Sequence, residues 1–239
     1  MCTVFLLHRP GHAWPVMLAA NRDEMLERPW APPAAHWPDH PDIIGGIDRM
    51  AGGTWMAINR YGVVSAVLNR VGSLGPAPGK RSRGELPLIA LAGRTAAEAA
   101  DIVRNLDAGQ WRPFNMVVAD ARGGVFLAGL GSGRAEAQVL PAGLSMVTAH
   151  SPNDMNASRI ARHLPVWRGA RAPDSPADWG DWPALLADTG GNRAEQLCLP
   201  AEGGFGTVSS SILALSAWQE WHFRTVQPGQ TPFRPVALP

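Results

Sequence analysis

The chain has 239 residues, 46% of them hydrophobic and 17% charged, at a formal net charge of +1, the composition of a globular protein able to bury a sizeable core. Its basic residues are scattered and nearly all Arg, which excludes the clustered cationic footprint that releases counterions from a polyphosphate, so no nucleic-acid partner is expected. Two cysteines, Cys2 and Cys198, exclude a disulfide framework and lie in no metal-ligand spacing, so neither metal nor cofactor is expected and a reducing, cytoplasmic setting is.

In chain order, Cys2–Leu7 is β-prone, His8–His12 carries a Pro-Gly turn signal, and Val16–Asn21 is apolar again, which predicts a hairpin with residue 2 in its first strand. The apolar run Thr3–Leu7 is too short for a signal-peptide core and is broken by His8, Arg9 and Pro10. No stretch approaches the roughly 20 apolar residues that span a bilayer, so no stable membrane insertion is expected. Arg28–Asp42 is rich in Pro and Trp, too irregular for an element and too aromatic for a plain linker. Gly53–Asn59 and Val63–Asn69, joined at Arg60-Tyr61-Gly62, predict a second hairpin.

After a loop at Gly72–Gly79, helices are expected over Arg83–Ala92 and Ala96–Leu106, with Thr95 and Glu98 spaced as a capping box on the second. Strands are expected at Phe114–Ala119, Val125–Leu130 and Leu144–Thr148, then helices at Ala157–Leu164 and Pro183–Ala187, then a strand at Thr207–Leu215. With no repeat and no low-complexity linker, residues 1–239 read as one α/β domain, sheets packed face to face with helices outside.

Cys2 follows Met1 directly, and an aminopeptidase that removes Met1 would leave a thiol and a free α-amine on one residue. An α-amine titrates near about 7.7–8.0, so part of it is unprotonated at neutral pH and can take the thiol proton. Asn21-Arg22-Asp23-Glu24 closes the first hairpin, where antiparallel pairing returns these groups beside Cys2; a nearby cation favours thiolate. A solvated turn with a surface ion pair is the alternative. Asn69 ends the second hairpin and offers an amide to an oxyanion, or else bonds its own backbone as a turn residue. Two glycine pairs, Gly45-Gly46 and Gly52-Gly53, allow close backbone approach or positive φ, with no phosphate-loop pattern after them. His150, in the polar run Thr148–Asp154, can orient substrate or shuttle a proton, or be structural. Ser209–Ser211 offers hydroxyls on the last strand, and Gly-x-Ser-x-Gly is absent. Ten Trp serve packing or an aromatic pocket for an apolar or planar ligand.

The ordered set Met-Cys-Thr, Asn21-Arg22-Asp23-Glu24, Gly45-Gly46-Ile47-Asp48, Gly52-Gly53-Thr54-Trp55, Asn69 and Ser82-Arg83-Gly84 resembles the NRDE family, whose animal members are called transport and Golgi organization protein 2. The resemblance is strong over residues 1 to about 92. That family in turn resembles the cysteine branch of the N-terminal-nucleophile hydrolases, which implies an α+β fold, a four-layer αββα sandwich. It also implies Cys2 as nucleophile, Arg22 and Asp23 as the pair that positions it, Asn69 as oxyanion donor and His150 at a further polar position. Substrate contacts are expected from Asn21, Glu24, Trp55, Asn153 and Ser210. Ile212 and Leu213 stand where those hydrolases carry an Arg after the serines. The expected function is hydrolysis of a non-peptide amide bond in a small molecule with an amide or apolar part. The alternative is a non-catalytic carrier or chaperone of haem or lipid-like ligands on the same scaffold.

Overall fold

The structure, a computed structural model, describes residues 2–238 and divides into two compact units, Met1–Glu27 with Pro141–Val236 and Arg28–Leu140 with Ala237–Pro239. The expected first hairpin is present. β1 (Thr3–His8) and β2 (Val16–Met25) pair antiparallel with Thr3 opposite Asn21 and His8 opposite Val16. β2 is longer than its apolar run: Asn21–Glu24 lies inside the strand rather than in a turn after it.

The segment Arg28–Asp42 holds an unexpected strand, β3 (Trp30–Ala34), paired with β4 (Ile43–Asp48). Pro32 and Pro33 bring no N–H to a ladder, which is tolerated because β3 is the outermost strand of its sheet and its register shifts between Ala31 and Ala34. The second hairpin, β5 (Met56–Asn59) and β6 (Val64–Asn69), turns through Gly62 at φ +75°. The buried Asn59 amide donates to the carbonyls of Leu91 and Gly93 at 2.9 and 2.8 Å, while its oxygen accepts from the N–H groups of Tyr61 and Val63.

Two helices follow, α1 (Glu85–Ala90) and α2 (Ala96–Arg104). Thr95 accepts from the Glu98 N–H at 3.0 Å, and Glu98 accepts from the N–H of Arg94, so the predicted cap forms. Next come β7 (Phe114–Asp120), β8 (Gly123–Gly129), β9 (Glu136–Val139) and β10 (Gly143–Val147). The remainder is α3 (Ser158–Gly169), α4 (Trp182–Leu185), β11 (Phe205–Leu215), β12 (Gln219–Thr225) and β13 (Arg234–Pro235). β4, β9, β12 and β13 were not indicated by the sequence. β9 is exposed at all four positions and so carries no apolar alternation, and in β12 charged residues flank Trp221 and Phe223.

In the first unit an antiparallel sheet runs β10-β1-β2-β11-β12-β13, so the late strand β11 returns beside β2. Phe5, Leu7, Met17, Ala19, Ile212 and Ala214 form one cluster with Ile160, Leu164 and Trp167 of α3 and Trp182 of α4. Phe5 and Trp167 stack with ring centroids 3.6 Å apart. The odd-numbered residues of β1 and β2 therefore face the helices.

In the second unit the antiparallel order is β3-β4-β5-β6-β7-β8-β9. Ala57, Phe114, Met116, Val118 and Leu127 pack against Leu86, Ala90, Ala99 and Val103 of its two helices. Each unit is thus a sheet with helices on one face, in keeping with the α+β class. The glycine pairs work by close approach: a Cβ on Gly46 would enter the Trp55 ring, and one on Gly53 would overlap the Gly84 backbone, whose carbonyl accepts from the Thr54 N–H at 2.8 Å. Gly46→Ala is expected to cost about 1–3 kcal/mol through overpacking. Gly169→Ala, at an exposed site with open space, is expected to stay within about 0.5 kcal/mol. Urea unfolding of the two variants checks the contrast.

Candidate active site

The Asn21-Arg22-Asp23-Glu24 segment is the inner edge of the site because β2 lies between β1 and β11. Side chains alternate along a strand, so Asn21 and Asp23 share the helix face with Met17 and Ala19, while Arg22 and Glu24 lie on the opposite face. Thr3 stands opposite Asn21, which carries residue 2 to the level of Arg22. The Cys2 thiol donates to the Asp23 backbone carbonyl at a sulfur–oxygen distance of 3.6 Å.

The Asp23 carboxylate is 0% exposed. One oxygen accepts from Thr207 Oγ1 at 2.6 Å, and the other accepts from Arg159 Nη1 at 3.3 Å. The same Arg159 nitrogen lies 3.3 Å from Thr3 Oγ1. Strand β1, strand β2, helix α3 and strand β11 therefore meet at one buried ion pair. Asn21 is bound as fully: its amide donates to the carbonyls of Leu186 and Leu197 at 2.9 and 3.0 Å, and its oxygen accepts from Ser210 Oγ at 2.7 Å. Asn21 and Ser210 thus tie the sheet to the segment that covers it. On the other face Arg22 Nη2 donates to Glu24 Oε2 at 3.4 Å, and Ser209 pairs with Arg22 across the ladder.

Desolvation raises the Cys2 thiol above its ordinary pKa, and the negative Asp23 adds to it; the hydrogen bond to the Asp23 carbonyl and the Arg22 charge act the other way without cancelling it. The thiol is therefore held protonated and needs a base before it can attack. Cys198, the other free thiol, is buried and likewise raised, chiefly by burial.

The remaining expected residues are placed as follows. Asn153 takes a left-handed φ of 58° and clasps the end of β10, its N–H donating to the Met146 carbonyl at 2.9 Å and its side-chain oxygen accepting from the Met146 N–H at 2.8 Å. His150 is half-exposed with Nδ1 3.8 Å from Asp154 Oδ2. Asn69 and Trp55 belong to the second unit, Asn69 opposite Phe114 in the β6–β7 ladder and Trp55 edge-on to Trp30 at 5.9 Å. Among the described residues no group of three or more His, Cys, Asp or Glu could hold a metal, and no helix is long and apolar enough to cross a membrane.

Three participants escaped the sequence reading: Thr3, Arg159 and Thr207. Arg159 had a signal. It falls with Ile160, His163, Leu164 and Trp167 on the buried stripe of α3, and a charge on an apolar stripe calls for a buried partner.

Comparison with known proteins identifies the family and the fold. The family model described as "Transport and Golgi organisation 2" matches residues 1–163, and the chain belongs to that family. The mouse Transport and Golgi organization 2 homolog is 37% identical over 93 residues, covering 36% of this chain and 33% of that protein. The bovine homolog is 30% identical over 129 residues, covering 50% and 45%. The chain thus matches less than half the length of these curated relatives. Among solved structures, penicillin V acylase from Agrobacterium tumefaciens superposes with a TM-score of 0.61 at 13% identity, over 95% of this chain and 84% of that one. The C2A mutant of conjugated bile acid hydrolase from Clostridium perfringens gives 0.59 at 10%, over 99% and 92%. The Caenorhabditis elegans ortholog of N-acylethanolamine-hydrolyzing acid amidase gives 0.56 at 12%, over 89% and 92%. The fold is that of the N-terminal-nucleophile hydrolases.

On the stripe of α3 one turn beyond Arg159, the His163 ring is 1% exposed, with the Glu195 carbonyl accepting from Nε2 at 2.7 Å. Burial lowers its pKa below the ordinary imidazole value, with the Arg162 and Arg159 charges assisting, against that hydrogen bond and Asp188. The unfolded chain binds a proton near pH ~6.5 that the folded chain refuses, so stability present above that pH falls as the pH drops through it. Thermal unfolding between pH 7.5 and 5.5 should show this slope, at most about 1.4 kcal/mol per pH unit for one group, and His163→Gln should flatten it.

Proposed function

We propose that the protein hydrolyses an amide bond in a small molecule, with Cys2 as nucleophile once Met1 has been removed. The observation that carries this reading is the Cys2 thiol held 3.6 Å from the Asp23 carbonyl, above a carboxylate fixed by Arg159 and Thr207. Removal of Met1 would give this protonated sulfur its own α-amine as a base within one residue.

In the proposed cycle the amine takes the thiol proton as sulfur attacks the substrate carbonyl carbon. The resulting oxyanion collapses, the C–N bond breaks, and the proton held by the amine passes to the leaving nitrogen. Water then adds to the thioester, the C–S bond breaks, and a carboxylic acid departs as the thiol regains its proton. Arg22 supplies positive charge on the face of Cys2, and Asp23 orients residue 2. Family resemblance, rather than a distance, assigns Asn69 to the oxyanion and His150, Trp55, Glu24, Asn153, Asn21 and Ser210 to substrate contact or support. For Asn21, Asn153 and Ser210 the hydrogen bonds described above favour support.

The substrate class follows the names of the structural neighbours, which hydrolyse N-acylethanolamines or conjugated bile acids or deacylate penicillin V. A cytoplasmic setting is proposed from the two free thiols. Incubation of Met1-free protein with an acyl-transferring electrophile such as a β-lactone should modify Cys2 at least about tenfold faster than buried Cys198, as read by peptide mass spectrometry, and Cys2→Ala should abolish turnover of N-acyl substrates. Equal, slow labelling of both thiols would contradict the reading. Saturable quenching of Trp fluorescence by haem or acyl-CoA, with Cys2 inert, would establish the carrier alternative instead.

A further inference from the structure

The Asp23 carboxylate is held from outside the hairpin that carries Cys2, and its cationic partner comes from a helix that none of the family's motifs includes. We propose that Arg159 is a positioning residue for residue 2: its guanidinium fixes the Asp23 carboxylate and offsets part of its charge, so that helix α3 tunes the protonation range of the nucleophile from behind the sheet. This rests on the cysteine-nucleophile reading above and deepens it.

The geometry leaves the carboxylate little freedom. Arg159 Nη1 bridges Asp23 Oδ2 and Thr3 Oγ1, each at 3.3 Å, and Thr3 is the residue that follows Cys2. Thr207 closes on Oδ1 at 2.6 Å, and the carbonyl of Asp23 receives the thiol. The Arg159 and Asp23 side chains are 7% and 0% exposed, so solvent screens their charges weakly. Beside residue 2, β2 contributes Asp23 and Arg22, whose charges the Cys2 thiol feels, with Glu24 paired to Arg22; on the far side of Asp23, α3 contributes Arg159 and, one turn on, His163. The segment before β11 contributes Cys198, which feels both Asp23 and the buried Arg224 of β12.

Within this set Arg22 is paired with Glu24 and Arg159 with Asp23. A protonated α-amine on residue 2 would be an added cation beside these pairs, and a thiolate would be an added anion beside a carboxylate whose charge Arg159 offsets only in part. Removing the Arg159 charge leaves the Asp23 carboxylate beside residue 2 without its guanidinium, with Thr207 still donating to it. That carboxylate favours the ammonium and opposes the thiolate, so the coupled amine–thiol pair holds its protons to higher pH. Removing the Asp23 charge does the reverse.

The test is the pH dependence of Cys2 alkylation by iodoacetamide between pH 5 and 10, on protein shown by intact mass to lack Met1. Arg159→Gln should move the midpoint up by about one pH unit, or about tenfold slower alkylation on the acid limb. Arg159→Lys should stay within about 0.3 unit of the parent, and Asp23→Asn should move the midpoint down. A folded R159Q with the parent midpoint, or R159K displaced as far as R159Q, would overturn the proposal. Should R159Q not fold, D23N decides: an unchanged or raised midpoint overturns it. Alkylation needs no turnover. A Cys2 that alkylates on this schedule yet forms no acyl-enzyme defeats the hydrolase reading and leaves the Arg159 assignment standing.

Discussion

The first unit is organised by one buried carboxylate. Asp23 has no exposed side-chain surface, and an ionised carboxylate out of water must be paired and hydrogen-bonded or the fold loses several kcal/mol. Its partners are a helix guanidinium and a strand hydroxyl separated from it by 136 and 184 residues in sequence. Satisfying one charge thus draws α3 and β11 onto β2, and β1 is carried along by its ladder with β2. The same residue's carbonyl receives the Cys2 thiol. The requirement that closes the unit therefore also places its nucleophile candidate.

In the second unit the corresponding constraint is steric. Gly46 is empty of side chain so that Trp55 can lie across it, and Gly53 lets the Gly84 backbone come close enough for its carbonyl to accept from Thr54. Gly45-Gly46, Gly52-Gly53-Thr54-Trp55 and Ser82-Arg83-Gly84 are therefore not three separate signals. They are the two sides of one strand contact and the turn that docks on it. Arg83 extends that docking, donating to Ser73 Oγ at 3.1 Å and to the Pro113 carbonyl at 3.2 Å.

Much of this was legible in the sequence where local chemistry decides the structure. The Pro-Gly turn and flanking apolar runs gave the first hairpin, Arg60-Tyr61-Gly62 gave the second, and Thr95 with Glu98 gave the start of α2. Elements decided by their neighbours were not legible. β3 tolerates two prolines because, among the described residues, it is the outermost strand of its sheet, and Asn21–Glu24 is a strand because β11 returns beside it. The candidate site divides in the same way. Cys2, Arg22 and Asp23 sit together because they are close along one hairpin. That Asn21 and Ser210 bond each other on the helix face, while Arg22 faces the other way, follows from register, which residue types alone do not fix. Arg159 lay outside every motif, marked only by a charge on an apolar stripe.

The central claim, that Asp23 is the pin joining strands distant in sequence, is tested most directly by a double-mutant cycle on its shortest contact. Urea unfolding of the parent, Asp23→Asn, Thr207→Val and the double variant isolates their coupling. The account predicts an interaction energy of about 1–3 kcal/mol. Losses that add to within about 0.3–0.5 kcal/mol would contradict it.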